Sequence, residues 1–445
     1  MVSKSEITEA MQFSGIFSRD AINATGDARM TLTWQYAGTS QPGDFAGGSY
    51  SGWTAFEADE KAAFAAVLTH IETFLNVDFI EVTGDADPDI NVGQVTLPGN
   101  TTGTGGYSLS SSGNTITRWD SFVVYDNTLD LSLDARTSLL LHEMGHALGL
   151  QHTFSTGILS GEEDTQKYSV MAYSDNPDNG TDSDAMMLYD TYALQDIWGA
   201  VDYLTGDTAY TGSRTDTVDT IWDTGGVDIL DASGRGGGVI LDLNEGAFST
   251  FDSYPDVVIA FGVRIENATG GAGADSITGN QFANVLLGGQ GDDTISGGAG
   301  RDQIRGGIGD DAINGGSGRD RLFGEVGKDV LLGKNNNDTL KGGDGRDVLM
   351  GGKGNDRLFG EGGNDLLIGN QGADRFVFAL NGDRDKIRDF EDGVDVIKFI
   401  GLGDAASVLS VATEIGADVV FDFGGGDILT VLNMTKADIS DDVLA

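Results

Sequence analysis

Several residue types are scarce in this sequence, and each shortage excludes something. The 445 residues include no cysteine, so neither disulfide bonds nor a thiolate zinc site can form. Lysine and arginine number 26 against 70 aspartates and glutamates, and the resulting net charge of −44 excludes nucleic acid and anionic lipid as partners and favours cations. Only five prolines are present and no proline-rich linker occurs, so we expect neighbouring domains to pack directly.

Long apolar segments are absent too. No run of 18 apolar residues occurs, and we therefore expect no membrane span. The first twelve residues lack the apolar segment that a Sec signal peptide needs. The lack of cysteine is nevertheless compatible with life outside the cell, because disulfides are optional there when another device stabilises the fold.

Histidine is also rare, and its distribution is informative. Three of the four histidines are His142, His146 and His152. A helix is expected from Asp134 onward, and it places the first two on one face about 6 Å apart, so that both imidazoles can bind one zinc ion. Glu143 then lies beside the metal, where it can take a proton from a water at the zinc.

Gly149 interrupts this helix, and glycine turns cheaply into a conformation that lets His152 return to the metal. Three imidazoles leave a fourth coordination position open, as a catalytic zinc site requires. A bare His-Glu-x-x-His motif also occurs by chance in soluble helices. Core packing does not, however, account for three clustered histidines among four; the fourth, His70, lies beside an apolar stripe and is interpreted as structural.

A second motif follows the third histidine. Residues 168–173, Tyr-Ser-Val-Met-Ala-Tyr, resemble a Met-turn, and with the extended histidine motif they resemble the metzincin pattern. The region is similar to the serralysin family of that clan. The resemblance implies that Met171 underlies the zinc ligands and that the Tyr173 phenol reaches the zinc and takes part in catalysis. The alternative is that Tyr173 merely belongs to the core.

The segment 270–377 repeats every nine residues as Gly-Gly-x-Gly-x-Asp-x-apolar-x, which makes twelve units. The glycines form a tight turn with exposed carbonyls, the aspartate adds a hard oxygen for calcium, and the apolar residue points inward from a short strand. Two units close one turn of the coil. A flexible linker would not keep an inward apolar residue at every ninth position.

Position six is acidic in eleven units and Asn284 in the other. The predicted calcium ligands of the repeats are Asp275, Asp293, Asp302, Asp311, Asp320, Asp329, Asp338, Asp347, Asp356, Asp365 and Asp374. The units that begin at Gly279, Gly324 and Gly333 lack the second glycine, and we expect them to bind calcium less well.

Elsewhere, hydrophobic periodicity predicts a small sheet with helices. The strand candidates are Met30–Tyr36, Asn76–Val82, Ile90–Val95 and Phe122–Tyr125, and the helix candidates are 56–74 and Asp184–Ala200. After the repeats, 385–390, 395–399 and 418–423 read as strands that cap the coil. Residues 438–445, acidic and then apolar, resemble the uncleaved C-terminal signal of type I secreted proteins.

Taken together, the motifs resemble a serralysin-type zinc metalloprotease with RTX repeats over roughly residues 30–445. The resemblance implies a multidomain chain, with an α+β metzincin protease domain followed by an all-β parallel β-roll. The expected segments are an N-terminal segment with room for a short propeptide (1–29), the protease domain (30–205), a junction with calcium sites (206–269), the repeats (270–377) and a C-terminal cap with the secretion signal (378–445).

The same resemblance implies further ligands and partners. Asp207, Asp223, Asp228 and Glu266 would bind calcium near the junction. One catalytic zinc and several structural calcium ions are the expected cofactors. Expected partners are protein or peptide substrates, the type I secretion machinery and a proteinaceous inhibitor, for a monomer exported to the medium. The competing hypothesis is a calcium-binding surface or adhesion protein whose protease domain is inactive.

Overall fold

The computed structural model describes residues 2–215, 217–380 and 383–444, and two compact units are present. The first contains the chain up to Gly206 together with Ser213–Gly226 and Tyr254–Val263. The second contains Asp207–Gly212, Val227–Ser253 and the chain from Arg264 onward. The five segments expected from the sequence therefore stay a prediction; of the proposed secretion signal, Ala445 lies outside the described residues.

Helices are few among the described residues, and none is long and apolar enough to cross a membrane. The α-helices are α1 (Lys4–Met11), α2 (Ser14–Phe17), α3 (Ala58–Glu72), α4 (Thr137–Ala147), α5 (Leu188–Trp198) and α6 (Ala405–Ser410). Short 3-10 helices cover Asp134–Arg136, Thr153–Ser155 and Gly161–Glu163. The helix expected from Asp134 thus begins as a 3-10 turn and becomes α-helical at Thr137.

Strands make up most of the regular structure. In chain order they are β1 (Met30–Tyr36), β2 (Ser51–Thr54), β3 (Val77–Glu81), β4 (Ile90–Thr96), β5 (Gly103–Ser112), β6 (Thr115–Asp126), β7 (Ala209–Tyr210), β8 (Asp219–Ile221), β9 (Ile229–Asp231), β10 (Ile240–Asp242), β11 (Phe248–Ser249), β12 (Val257–Ile259), β13 (Asn267–Thr269), β14 (Ser276–Thr278), β15 (Val285–Gln290) and β16 (Thr294–Ser296). They continue as β17 (Gln303–Ile308), β18 (Ala312–Ser317), β19 (Arg321–Val326), β20 (Val330–Asn335), β21 (Thr339–Gly345), β22 (Val348–Lys353), β23 (Arg357–Gly363), β24 (Leu366–Gln371), β25 (Arg375–Ala379), β26 (Arg384–Ile387), β27 (Val396–Ile400), β28 (Ala412–Ile415), β29 (Asp418–Gly424), β30 (Asp427–Val431) and β31 (Val443–Leu444).

The first unit is built on a mixed sheet with strand order β3-β1-β4-β6-β5, and β2 pairs with β4. β1, β3, β4 and β6 are parallel, and β5 runs antiparallel to β6 along the edge. The predicted strands are confirmed to within one residue at β1, β3 and β4, and Phe122–Tyr125 is the end of β6. The hairpin partner β5 was not predicted.

Helices α3 and α4 pack on this sheet through aromatic side chains. The ring of Phe64 in α3 lies 5.5 Å from that of Trp34 in β1 and 6.5 Å from that of Tyr125 in β6. Tyr125 and Trp119, both in β6, donate to the Leu140 and Ala147 carbonyls of α4 at 3.3 and 3.2 Å. These two bonds fix helix α4 across β6.

The N-terminal residues also belong to this unit. In α1, Ile7, Ala10 and Met11 are buried, and α1 packs on α5. The Gln12 amide donates to the Ala193 carbonyl of α5 at 3.0 Å. Removal of a short propeptide within residues 2–29 would therefore expose surface of the first unit that these residues now bury.

In the second unit the repeats form a coil with two faces of parallel strands, and each face is part of a sheet of eleven strands among the described residues that also includes strands outside the repeats. Partners lie eighteen residues apart, as the Ile304↔Leu322 pair of β17 and β19 illustrates. The position-eight residues, from Ile277 to Phe376, are all buried, and successive units place them alternately on the two faces. The predicted fold class, a parallel β-roll after an α+β domain, is confirmed, including two units for each turn of the coil.

The end of the roll is closed by other elements. β26 and β27 extend the two faces beyond the repeats. β30 pairs in parallel with β26, and β29 runs antiparallel between β30 and β28. Phe399 lies 5.8 Å from Phe378 and 5.2 Å from Phe421, ring centre to ring centre, so aromatic packing covers the last coil. Strands therefore occur at or beside the three segments expected to be strands, and the C-terminal cap as a domain stays a prediction.

Candidate metal centres

Helix α4 and the turn after it bring the three clustered histidines together. The Nε2 atom of His152 lies 3.2 Å from that of His142 and 3.1 Å from that of His146. Gly149 makes this possible: its φ is +111°, and a Cβ there would come within 2.7 Å of Ile16 Cδ1. Tetrahedral zinc with nitrogen ligands at 2.0–2.1 Å requires separations of about 3.3 Å.

Hydrogen bonding fixes the tautomers of two of these rings. Nδ1 of His142 donates to the Val170 carbonyl at 2.7 Å, and Nδ1 of His146 donates to the Leu150 carbonyl at 2.8 Å. Their Nε2 atoms therefore carry lone pairs and both lie beside His152 Nε2, an arrangement that a cation between the rings stabilises. The donor set fits zinc.

Burial also keeps the rings neutral. It lowers the pKa of His146 to about 3 and that of His152 to about 4, and the His142 ring adds to both effects. Burial likewise lowers the pKa of His142, although the bond to Val170 opposes it. Neutral imidazole is the form that binds metal, so the three rings are ready to ligate at neutral pH.

Glu143 is buried beside the histidines, under the glycines of β5. Its Oε2 atom has no hydrogen-bond partner among the described residues, and a Cβ at Gly103 would come within 2.8 Å of Oε1. Burial raises the pKa of Glu143 to about 8, although a backbone bond from Gly105 opposes the rise. The glycines allow β5 to approach α4 closely.

Tyr173 is 67% exposed, and its hydroxyl lies 2.9 Å from His152 Nε2. This position does not agree with the alternative of a core tyrosine. Met171 is fully buried, and its Sδ lies 2.5 Å from where a Cβ of Gly145 would stand, so it packs against α4 between the two helical histidines.

Asp190 in α5 holds the Met-turn and was not predicted. Its carboxylate accepts from the Ser169 hydroxyl at 2.6 Å and from the N–H groups of Val170 and Met187 at 2.8 and 3.0 Å. Burial raises the pKa of Asp190 to about 6 against these bonds. Because the Val170 carbonyl accepts from His142, Asp190 acts on the site through the turn.

Two cavities meet at the site. One of about 570 Å³ and one of about 390 Å³ share Thr101, Gly103, His142, Glu143 and Tyr173. Phe13 lines the second cavity and lies 6.1 Å from the His146 ring, centre to centre. Its only sequence signal was its place in a short apolar segment.

The fourth histidine, His70, does not belong to the cluster of three. Its Nε2 accepts a hydrogen bond from the Met186 N–H at 3.0 Å.

The repeats present a second kind of site. The Oδ1 atom of each position-six aspartate from Asp293 to Asp374 accepts the N–H of the residue eighteen positions earlier, as Asp356 does from Asp338 at 2.7 Å. The Oδ2 atom is buried and has no partner among the described residues in Asp293, Asp302, Asp311, Asp320, Asp329, Asp338, Asp347, Asp356, Asp365 and Asp374.

These oxygens face the first glycine of their own unit. A Cβ at Gly342 would clash with Asp347 Oδ2 and with the Gly360 carbonyl of the next coil, so the two oxygens converge on a space that only glycine leaves open. Burial raises the pKa of Asp338 to about 8 and that of Asp347 to about 7. Hard oxygens converging in this way fit calcium.

Asp275 differs from the other position-six aspartates of the repeats. Its Oδ1 accepts from Val239 N–H at 2.8 Å and its Oδ2 from Gly271 N–H at 2.6 Å, so hydrogen bonds satisfy both oxygens. Its role as a calcium ligand stays a prediction.

Three of the four residues assigned to the junction belong to the second unit. In the second unit, Asp228 N–H donates to Glu266 at 2.8 Å, and Asp228 and Asp207 accept from Thr208 and Val227 N–H groups at 2.8 Å each. Asp223 lies in the first unit and accepts from Gly225 N–H at 3.2 Å. Calcium binding by all four stays a prediction.

Comparison with known proteins gives the family context. A model of the RTX calcium-binding nonapeptide repeat, in blocks of four copies, matches residues 269–304, 305–340 and 341–376. Metallopeptidase AprA of Pseudomonas marginalis is 32% identical over 306 residues, which cover 59% of this chain and 62% of that protein. Serralysin of Photorhabdus luminescens is 33% identical over 277 residues, which cover 53% and 55%.

The chain thus spans somewhat over half the length of these relatives. An extracellular lipase structure, LipA from Serratia marcescens, matches 40% of this chain and 39% of its own with 21% identity, but its TM-score of 0.19 carries no argument. Residues 269–376 are RTX calcium-binding repeats, and together with the similarity to AprA and serralysin they support a serralysin-type protein with an RTX β-roll.

Proposed function

We propose that this chain is a secreted, zinc-dependent endopeptidase whose β-roll is stabilised by calcium. The observation that carries the proposal is that His152 Nε2 lies 3.1–3.2 Å from the Nε2 atoms of the other two histidines, beside a buried carboxylate with one oxygen that has no partner among the described residues. The names of the similar metallopeptidases support it. His142, His146 and His152 would hold the zinc.

The catalytic roles follow from the positions of the side chains. Zinc, when bound, polarises the scissile carbonyl and the attacking water. Glu143 Oε2 has no hydrogen-bond partner within the described part of the chain, so it can accept the proton of that water and pass it to the leaving nitrogen. The Tyr173 hydroxyl lies 2.9 Å from His152 Nε2 and supplies a donor for the oxyanion that develops on the carbonyl.

The shape of the site favours cleavage within a chain. Because the two cavities extend from a shared wall of Glu143 and Tyr173, a polypeptide can continue on both sides of the scissile bond. Strand β5 borders both cavities at Gly103 and forms the edge of its sheet, so it can pair with a substrate backbone. An extended peptide is therefore the substrate class that fits.

Calcium supports the proposed location. Ten buried carboxylate oxygens have no hydrogen-bond partner in the part of the chain that the structure describes, and their charges repel one another until divalent cations neutralise them. Extracellular calcium modules bind at about 10⁻⁴–10⁻³ M, so the roll would stay unfolded inside the cell and fold in the medium. Export by type I machinery, control by a proteinaceous inhibitor and a monomeric state belong to the same proposal.

The test compares two glutamates in the full chain. Glu143→Gln should retain zinc, measured as metal content, and should lose at least about 10²–10⁴-fold in casein cleavage, the usual size of a general-base contribution. Glu9→Gln makes the same change on the exposed face of α1 and should be fully active.

Near-normal cleavage by zinc-loaded Glu143→Gln would refute the role of Glu143. If the unmodified chain, loaded with zinc and calcium, cleaves neither casein nor a peptide library, the protease proposal fails and the adhesion hypothesis takes its place.

A further inference from the structure

Residues 11–13 of the N-terminal segment lie against the turn that follows helix α4. The Phe13 N–H donates to the Gly149 carbonyl at 3.2 Å, and the Gln151 N–H donates to the Met11 carbonyl at 2.7 Å. These two backbone bonds hold the segment beside the residues that lead to His152. The N-terminal segment is therefore attached to the same turn that brings the third histidine to the site.

The Phe13 ring occupies a fixed place in the wall of the site. It is half-buried, and its centre lies 5.3 Å from that of Tyr107 and 6.1 Å from that of His146. Tyr107 in turn stacks on Trp119 with the ring centres 4.6 Å apart. Aromatic packing thus holds one part of the Phe13 ring, and another part lines the cavity of about 390 Å³ at the histidines.

Phe13 gives this smaller cavity its apolar character. Apart from Tyr173, it is the one large apolar side chain among the described residues that line the cavity. The larger cavity instead has charged side chains in its wall, namely Arg136, Asp175 and Asp182. A peptide side chain in the smaller cavity can bury apolar surface against the ring, whereas a charged side chain would lose water there. We therefore expect the two cavities to select different side chains.

We propose that Phe13 determines substrate specificity, because it forms the apolar wall of a subsite for an aliphatic or aromatic side chain on one side of the scissile bond. This inference rests on the proposed endopeptidase function. The N-terminal segment is then part of the substrate site, held there by its two backbone bonds to the turn after α4. Removal of a propeptide that includes Phe13 would take this wall away.

The experiment profiles cleavage of a peptide library by the full chain loaded with zinc and calcium. One position beside the scissile bond should favour aliphatic and aromatic over charged residues by at least about tenfold in kcat/KM, since apolar pockets discriminate by about 10–200-fold. Phe13→Ala should largely remove this preference, through KM rather than kcat, and leave the other positions unchanged. Phe17→Ala, the same change at an exposed residue that lines neither cavity, should keep the profile.

An unchanged profile in Phe13→Ala would overturn the proposal, as would an unmodified protein with no apolar preference beside the scissile bond. If Phe13→Ala does not fold, Phe13→Gln decides the question, because it fills similar space with a polar side chain. Loss of the preference in that variant supports the subsite, and retention overturns it.

A binding measurement separates this result from a failure of the protease proposal. Peptides that zinc-loaded Glu143→Gln retains from the same library, identified by mass spectrometry, should be enriched in aliphatic and aromatic residues. The enrichment should disappear when Phe13→Ala is added, and an enrichment that is absent or that survives this change overturns the subsite. Because binding needs no turnover, the measurement decides the role of Phe13 even if the unmodified chain cleaves nothing.

Discussion

Replacing Asp190 by alanine should weaken zinc binding, although Asp190 is not itself a predicted ligand. Its carboxylate accepts two backbone N–H groups, of Val170 and Met187, and the hydroxyl of Ser169. Alanine removes the carboxylate that accepts all three bonds from a fully buried position, and the Val170 carbonyl that orients His142 is then less firmly held.

The size of the effect can be worked out from these bonds. Each buried N–H that loses its acceptor costs about 1–3 kcal/mol, so two of them cost about 2–6 kcal/mol in the free energy of unfolding, while the hydroxyl can rotate to another partner. Loss of an outer partner of a metal-bound histidine usually lowers metal affinity by about 10–100-fold. We expect a loss of that size for Asp190→Ala.

Asp190→Asn is the matched control. Its amide oxygen can accept both N–H groups and its NH₂ can donate to Ser169, so zinc affinity should be retained. The pKa of Asp190 is raised to about 6, so ionisation of Asp190 destabilises the folded protein. This destabilisation is absent below about pH 4 and grows as the pH rises to about 6. Above that pH the asparagine variant should gain up to about 3 kcal/mol over the unmodified protein.

The assays are zinc affinity by competition with a chelator and urea unfolding between pH 4 and pH 8, both in saturating calcium. Unchanged zinc affinity in a folded Asp190→Ala chain would refute the positioning role. A stability difference between unmodified protein and Asp190→Asn that does not vary with pH would refute the assignment of a raised pKa.

Three other predictions concern the tyrosine, the repeats and the metal they bind. Tyr173→Phe should keep its zinc and lose about 10²–10³-fold in turnover; a loss of zinc with normal turnover for each bound zinc would contradict the oxyanion role. Lys334 has a φ of +76°, so Lys334→Gly should raise stability by about 1 kcal/mol in thermal melts, whereas Lys353→Gly, outside the left-handed region, should not. Circular dichroism of the full chain should show strand signal that rises on calcium titration, and complete strand signal in excess chelator would contradict calcium-triggered folding.

The metal motifs could be predicted from the sequence because the spacing between their residues is local. His142 and His146 are four residues apart in one helix, and the repeats bring identical turns into register by their period alone. The conformation of the units that lack the second glycine was harder to predict. Lys334 and Glu325 replace the second glycine and still take positive φ, because the strand pairs on both sides of each turn impose its geometry.

The substrate side of the site could not be predicted in the same way. Gly103 and Gly105 matter because a distant helix packs on them, and nothing in residues 100–110 indicates which helix that is. Phe13 reaches the cavity because Gly149 O accepts its N–H at 3.2 Å.

These contacts have one feature in common. Each contact joins a segment outside the histidine motif to helix α4 or to the turn that follows it. In that turn Gly149 has no side chain, and a Cβ there would clash with Ile16 and Ile197. A pattern of residues within one helix predicts what that helix can ligate, because ligand spacing is set by the helix itself. It cannot predict which segments form the walls beside it, since burial at residues such as Glu143 is created by strands whose pairing is decided elsewhere in the chain. The raised pKa of Glu143 is therefore a property of the assembled unit, and the same motif on an isolated helix would lack it.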